Sequence, residues 1–304
     1  SSSGGIFFTL AKYVIEEKKG WVFGSAFVGH FSLEHIGVNS VSDLEQLRGS
    51  KYLQSKMGNT FMQIKRLLEE GTSVFFVGTP CQVAGLKAFL RIPYDNLFTA
   101  DLVCHGVPSQ KMFNYHIEYL EKKYRARLTS YQFRKKNGWG VCEICDFTDP
   151  NKHVETPIYD LSPYLYSFMS AKTYRYSCYN CKFAKIPREG DFTLADYWGV
   201  SEFFPQIDSS KGVSMVLLNT AKAQLIWRNV ENKLKSYTSN LADGAKFNKN
   251  LVSKSEEPTI RKDIYHIVES RGYDRVAKTL FRSPRLMRIK LITLLKRFVP
   301  LRQV

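Results

Sequence analysis

Val74-Phe75-Phe76-Val77-Gly78-Thr79-Pro80-Cys81 is the stretch that decides the fold. Four consecutive apolar residues are too few for a helix and lack the alternation of a half-wet strand. They predict a strand buried on both faces. Gly-Thr-Pro is turn chemistry, and Gln82 to Leu90 returns to helical spacing. Working outward, Leu97 to Val103 predicts a second buried strand, and Gln110 to Tyr124 a helix with Ser109 as its N-cap. Upstream, Gly5 to Lys18 carries apolar residues at Ile6, Leu10, Val14 and Ile15, Trp21 to Val28 is strand-like, and Phe61 to Glu70 is helical until Gly71 stops it. Downstream, Val213 to Leu218 predicts a strand and Lys222 to Lys235 a helix.

Short apolar strands alternating with amphipathic helices predict an α/β fold, a largely parallel or mixed sheet with flanking helices. Ligands of such sheets sit beyond the carboxyl ends of the strands, where Cys81 and Cys104 both fall. Residues 125–160 predict irregular β structure holding two further cysteines, with turns at Gly138-Trp139-Gly140 and Asp149-Pro150-Asn151. We expect one main domain over residues 1–255 and a basic helical tail over 256–304.

The 304 residues carry a net charge of +16, and that excess is local. Residues 275–304 hold nine Lys/Arg and no acid, while the other 274 residues hold 35 basic against 28 acidic side chains. The main domain is therefore ordinary in charge and shows no helix-turn-helix, finger or basic-aromatic platform, so no specific nucleic-acid partner is expected. The tail sets Leu286, Ile289, Leu291, Ile292, Leu294, Leu295 and Phe298 among its cations. Such a segment could lie on an anionic membrane surface, dock a partner, or pack on its own domain. No run approaches the roughly 20 apolar residues that cross a bilayer, and no signal peptide is present. We expect a cytoplasmic protein, peripheral to a membrane if the tail binds one, and a fragment lacking its natural start.

Six cysteines are too few for a disulfide scaffold, and four of them form Cys-x-x-Cys pairs at Cys142/Cys145 and Cys178/Cys181. Such pairs favour metal or redox chemistry in a reducing compartment. Cys178-Tyr179-Asn180-Cys181 sets two thiolates on one tight loop and leaves two ligands to find. Cys81 and Cys104 would complete a cubane iron–sulfur cluster, whose ligands can come from distant loops. Cys142 and Cys145, separated from the other pair by 32 residues, would instead give a tetrahedral zinc site. The residues alone leave both completions open, and with zinc the chain would read as a stapled, non-catalytic module that binds a partner or a membrane. Ser3-Gly4-Gly5 before a helix, and Gly78-Thr79-Pro80 between strand and helix, are two places for a phosphate or a flavin edge. Lys51 in Gly49-Ser50-Lys51-Tyr52 offers a cation for pyrophosphate or reduced flavin, and Asp196, with Arg188 and Asp191, suggests a cofactor wall.

Several of these runs, in this order, resemble the successive motifs of the coenzyme F-420 hydrogenase/dehydrogenase beta-subunit family: Ser3-Gly4-Gly5-Ile6-Phe7, Gly49-Ser50-Lys51-Tyr52, Gly78-Thr79-Pro80-Cys81-Gln82-Val83-Ala84-Gly85-Leu86, Cys104-His105-Gly106-Val107-Pro108-Ser109, Phe133-Arg134 with Gly138-Trp139, Cys178-Tyr179-Asn180-Cys181, and Gly190-Asp191 through Gly199. The resemblance implies FAD on the α/β core, a 4Fe–4S cluster held by Cys81, Cys104, Cys178 and Cys181, and Ser3, Gly4, Lys51, Thr79 and Pro80 lining the flavin. It further implies an oxidoreductase passing electrons between a ferredoxin-type donor and a small-molecule acceptor. Family members commonly carry an N-terminal ferredoxin-like module, nothing like which appears in these residues, as expected of a fragment, and Cys142/Cys145 is not a motif associated with the family.

Overall fold

The computed structural model describes residues 3–135, 139–285 and 288. Nine strands run in chain order: β1 (Trp21–Val28), β2 (Ser32–Val38), β3 (Val74–Gly78), β4 (Leu97–Leu102), β5 (Leu128–Arg134), β6 (Val141–Phe147), β7 (His153–Glu155), β8 (Phe192–Asp196) and β9 (Ser214–Leu218). The helices that matter below are α1 (Ile6–Glu16), α2 (Leu44–Leu47), α3 (Thr60–Glu69), α4 (Pro80–Leu90), α5 (Gln110–Tyr124), α6 (Pro163–Met169) and α7 (Tyr176–Tyr179). The chain divides into two compact units, one of Ser1–Gly106, Lys136–Trp139 and Arg175–Ser255, the other of Val107–Lys135, Gly140–Tyr174 and Glu256–Val304.

The first unit is built on a six-stranded sheet in the order β2-β1-β3-β4-β8-β9. The pairings β1·β3, β3·β4 and β4·β8 are parallel, and the two edge strands pair antiparallel. Strand β3 shows why its run is wholly apolar. Phe75 and Val77 enter a core with Ile6, Leu10 and Val14 of α1 and with Ala223 and Ile226 of the helix Ala221–Val230. Val74 and Phe76 point the other way, into a core with Ile64 and Leu68 of α3 and Val83, Leu86 and Leu90 of α4. Helices thus cover both faces, and a strand between them has no side free for polar residues. The fold is the mixed α/β architecture expected.

No strand is expected from the sequence at Ser32–Val38 or Phe192–Asp196. The first forms a hairpin with β1, turning at Gly29 (φ 57°) and Phe31 (φ 61°). The second returns after a long excursion to pair with β4 near the centre of the sheet. The helix expected over Lys222 to Lys235 ends at Val230 and tightens into a 3₁₀ turn, Glu231–Lys233.

The second unit carries the antiparallel sheet β5-β6-β7, with register shifts in the β5·β6 pair, and the helices Arg261–Arg271 and Tyr273–Thr279. Ser109 caps α5, its hydroxyl accepting from the Met112 N–H. The apolar tail residues from Leu286 to Phe298 lie outside the described residues, as does Gly138. No described helix is long and apolar enough to cross a membrane.

One buried titratable group makes the first unit sensitive to acid. His35 on β2 meets Ser55 Oγ at 2.7 Å through Nδ1 and the Val77 carbonyl at 3.1 Å through Nε2. The carbonyl accepts only, so Nε2 carries the proton and neutral Nδ1 accepts from Ser55, whose oxygen accepts in turn from Gln82. Burial, with the Lys51 charge adding to it, lowers the His35 pKa to about 4. The folded state then binds fewer protons than the unfolded chain between about pH 4 and 6.5. The His35 contribution is therefore complete above the unfolded value and is lost as pH falls through that window, amounting to about 3 kcal/mol. Urea unfolding at pH 7 and pH 4.5 is expected to show this loss in the parent, and a smaller one in His35→Gln.

Candidate functional site

Three segments of the first unit bring cysteines to the carboxyl ends of its parallel strands. The first follows β3. Thr79 caps α4 in a reciprocal box with Gln82: the Thr79 N–H and hydroxyl both donate to Gln82 Oε1, at 2.9 and 3.1 Å. The box fixes the first turn of the helix, and Cys81 sits in that turn with its Sγ 3.1 Å from Thr79 Oγ1. The second follows β4, which ends two residues before Cys104. The third is α7 and its exit, where the Cys181 N–H closes onto the Cys178 carbonyl at 3.3 Å and buried Tyr179 anchors the turn.

Cys104 is within electrostatic reach of the other three thiols. Burial, opposed by the Gly106 N–H and aided by the charges of Cys178, Cys81 and Cys181, pushes the Cys104 thiol up to about 12. Cys81 is exposed and the other three are partly so. Among the described residues, no three His, Cys, Asp or Glu side chains form a group that could hold a metal ion. A single zinc would draw four sulfurs within roughly 4 Å of each other, at about 2.3 Å from the metal. A cubane interposes four irons and their sulfides and spreads its thiolates wider.

A buried ion pair ties the second segment to the third. Arg188 Nε and Nη2 donate to Asp101 Oδ1 at 3.2 and 2.7 Å, with side chains 1% and 0% exposed. The other Asp101 oxygen accepts from the Glu189 and Gly190 N–H groups at 3.0 and 2.7 Å. Arg188 spends its remaining donors on the carbonyls of Phe183, Leu251 and Leu102. Gly190 permits this contact, since an added Cβ would sit 2.6 Å from both the Asp101 nitrogen and the Phe192 carbonyl oxygen. Asp191 continues the brace, accepting from the Thr99 N–H and hydroxyl and from Thr220.

The residues singled out for a flavin fall into three groups. Ser3, Gly4 and Asp196 come together around the start of β9. Asp196 pairs with Ser214, a Cβ on Gly4 would meet the Ser214 nitrogen at 2.9 Å, and one on Gly212 would meet Ser3 Cα at 3.0 Å and Trp139 at 3.1 Å. Trp139 donates to Asp196 Oδ1 at 3.1 Å and stacks on Trp198, ring centres 4.7 Å apart and planes within 6°. Gly5, at φ 95°, opens α1 with no side-chain cap and no acid in the first turn. The second group, Gly78, Thr79 and Pro80, lies at the end of β3 beside Cys81. Lys51 stands apart: its ammonium donates to the carbonyls of Arg48, Ser25, Leu47 and Gln46 at 2.8, 2.9, 3.0 and 3.3 Å, closing the end of α2 onto β1. Burial lowers its pKa to about 7. Arg188 and Asp191, read as parts of a cofactor wall, serve the brace instead.

Residues 71–243 match the sequence profile of the C-terminal part of the coenzyme F420 hydrogenase/dehydrogenase beta subunit. The chain belongs to this beta-subunit family. A solved chain of the F420-reducing [NiFe] hydrogenase complex from Methanosarcina barkeri shares the fold, with a TM-score of 0.56 at 17% identity over 88% of this chain and 86% of that one. The search of curated proteins returned no match. Membership places the chain among the beta subunits of hydrogenases and dehydrogenases, which are oxidoreductases. The family profile spans Cys81, Cys104, Cys178 and Cys181, and it spans the Asp101–Arg188 brace that joins two of their segments.

Cys142 and Cys145, the cysteines outside the beta-subunit motifs, do not converge. Both lie on β6 and both are buried. A register shift between Gln132 and Arg134 of β5 puts an extra residue of β6 between Val141 and Ile144, and different charges act on the two thiols: Lys135, Glu155 and Arg134 on Cys142, and Glu143, Asp146 and Lys123 on Cys145. Burial raises both thiols above their ordinary range.

Proposed function

We propose that this beta-subunit-like chain is an FAD- and 4Fe–4S-dependent oxidoreductase module that exchanges electrons between an iron–sulfur partner and an organic acceptor. The observation that carries the proposal is that Cys104, just past β4, feels the charges of Cys178, Cys81 and Cys181, which come from two other segments of the same unit. Four neighbouring thiolates repel one another strongly unless cationic metal is present, and a coordinating thiol is deprotonated outright. The donor set therefore suits a cluster better than four free thiols. Ser3, Gly4, Gly5, Gly78, Thr79, Pro80 and Asp196 are assigned to the flavin, with Lys51 holding the loop beside β1. The uncapped first turn of α1 leaves N–H groups and a positive dipole end for a phosphate. Close packing at Gly4 leaves no room for a side chain there.

When bound, the two cofactors would supply one-electron and hydride chemistry, and the protein supplies position and electrostatics. In that division Thr79 and Gln82 fix the first turn of α4, which carries Cys81, and Arg188 holds the chain after Cys181 against β4. Iron, acid-labile sulfide and extracted flavin should be measured on anaerobically reconstituted protein. About four irons per chain are expected, the cubane requirement. Cys104→Ser and Cys181→Ser are expected to lose most of that iron and Cys145→Ser to keep it. Zinc bound in place of iron, or iron retained in Cys104→Ser and Cys181→Ser alike, would overturn the assignment.

A further inference from the structure

The surface around the Cys178–Cys181 turn has the composition of a docking site. Residues 175–188 contain Arg175, Lys182, Lys185 and Arg188 and no acid. Arg188 is neutralised by Asp101, but the other three are exposed. Among the described residues Lys182 and Lys185 have no carboxylate partner, unlike Lys12, Lys65 and Lys111, which are paired. Two more cations reach the same segment: Lys254 donates to Asn180 Oδ1 at 3.3 Å, and Lys87 to the Glu189 carbonyl. Between these charges lie two apolar side chains that folding leaves in water, Tyr176 at 60% and Ile186 at 43% exposure. Cys178 and Cys181, both partly exposed, belong to the same segment.

An apolar centre, a charged rim and a redox group at the edge are what a transient electron-transfer interface requires. Uncompensated charge steers a partner to the correct face, and small apolar contacts let it leave again. A small anionic acceptor would need convergent buried donors, whereas Arg175, Lys182 and Lys185 are exposed at separate positions along the segment. We infer that the Cys178–Cys181 face, with Lys182, Lys185, Tyr176 and Ile186, docks an acidic, electron-carrying protein. The inference rests on the cluster assignment above and adds the face, the sign of the partner's charge and the residues that read it.

The test uses the full chain, reconstituted anaerobically, with a purified acidic two-cluster bacterial ferredoxin as the probe. Binding is read by anisotropy of the labelled ferredoxin, at about 0.05 M and about 0.5 M salt, across which screening shortens to a few ångströms. Lys182→Glu combined with Lys185→Glu is expected to weaken binding roughly tenfold or more at low salt, with the difference vanishing at high salt. Tyr176→Ala is expected to weaken it at both. Reversal of Arg285, Lys290 and Lys296 to Glu is expected to leave binding unchanged. Binding that follows the tail variant and not the loop variant would sink the inference. So would unchanged binding in the loop variant accompanied by a shifted cluster potential, because the lysines would then only offset cluster charge. Iron and flavin are measured on the same samples: their absence removes the electron-transfer reading, whereas full cofactor content with salt-independent binding removes the docking face alone.

Discussion

Arg188→Met is expected to cost about 3–5 kcal/mol of stability, the penalty for removing one partner of a buried ion pair. Both members are shielded from solvent, so water cannot replace the guanidinium. The Asp101 carboxylate would keep only the two N–H donors of Glu189 and Gly190, and three carbonyls would lose a donor. Unfolding in urea should give a lower midpoint with little change of slope, since the folded surface is nearly the same. Combining Arg188→Met with Asp101→Asn should recover part of the loss, because the charge goes while an oxygen remains for the two N–H groups. If the double variant is no better than the single one, the penalty does not come from the stranded charge. A second readout separates position from stability. Lys at 188 keeps the charge but cannot span Asp101 and three carbonyls with one ammonium. Arg188→Lys should therefore retain much of the stability while the iron content or cluster spectrum changes.

That brace also marks where the sequence stops being readable. Strand β3 and helices α4 and α5 are legible because their signals are local: an unbroken apolar run, a proline at a helix start, a serine at a cap. The meeting of Asp101 with Arg188 spans 87 residues, and no local period predicts it. Strand β8 is hidden for the same reason. Its five residues include Thr193 and Asp196, and they become a strand by pairing with β4. Cys178 and Cys181 announce a site by spacing, but Cys81 and Cys104 are set near each other only by the parallel pairing of β3 and β4. The Thr79-x-x-Gln82 spacing is a capping-box signature in plain view, and it is the surest sequence clue to how Cys81 is held. Lys51 shows the reverse case: a lysine in a Gly-Ser loop looks available to a phosphate, yet backbone carbonyls take its protons.

Glu143→Leu is expected to destabilise the second unit by a similar amount, about 3–5 kcal/mol. One carboxylate oxygen, Oε2, accepts from His116 Nε2 at 2.6 Å, Ser162 Oγ at 2.6 Å and Tyr131 Oη at 2.9 Å. Tyr273 Oη meets the other His116 nitrogen at 3.1 Å, and Tyr164 stacks on the ring. This polar knot sits inside an aromatic cluster of Phe113, Tyr131, Phe133 and Tyr164, where a donor without an acceptor has no water to turn to. Leucine would strand three donors at once. Glutamine keeps an oxygen for them at the cost of an amide group, so Glu143→Gln should lose only about 1–2 kcal/mol. Burial alone would raise the Glu143 pKa, but the charge of His116 and the hydrogen bonds from His116, Ser162 and Tyr131 more than offset it and hold the carboxyl below its usual value. A folded pKa below the unfolded one means that this stabilisation is present above the ordinary carboxylate range and is lost as pH falls through the folded value. Denaturant titrations at neutral and acidic pH should show a steeper acid loss in the parent than in Glu143→Gln. Equal slopes would mean that Glu143 is already protonated in the folded protein, making the knot a set of neutral hydrogen bonds and lowering the expected cost of Glu143→Leu.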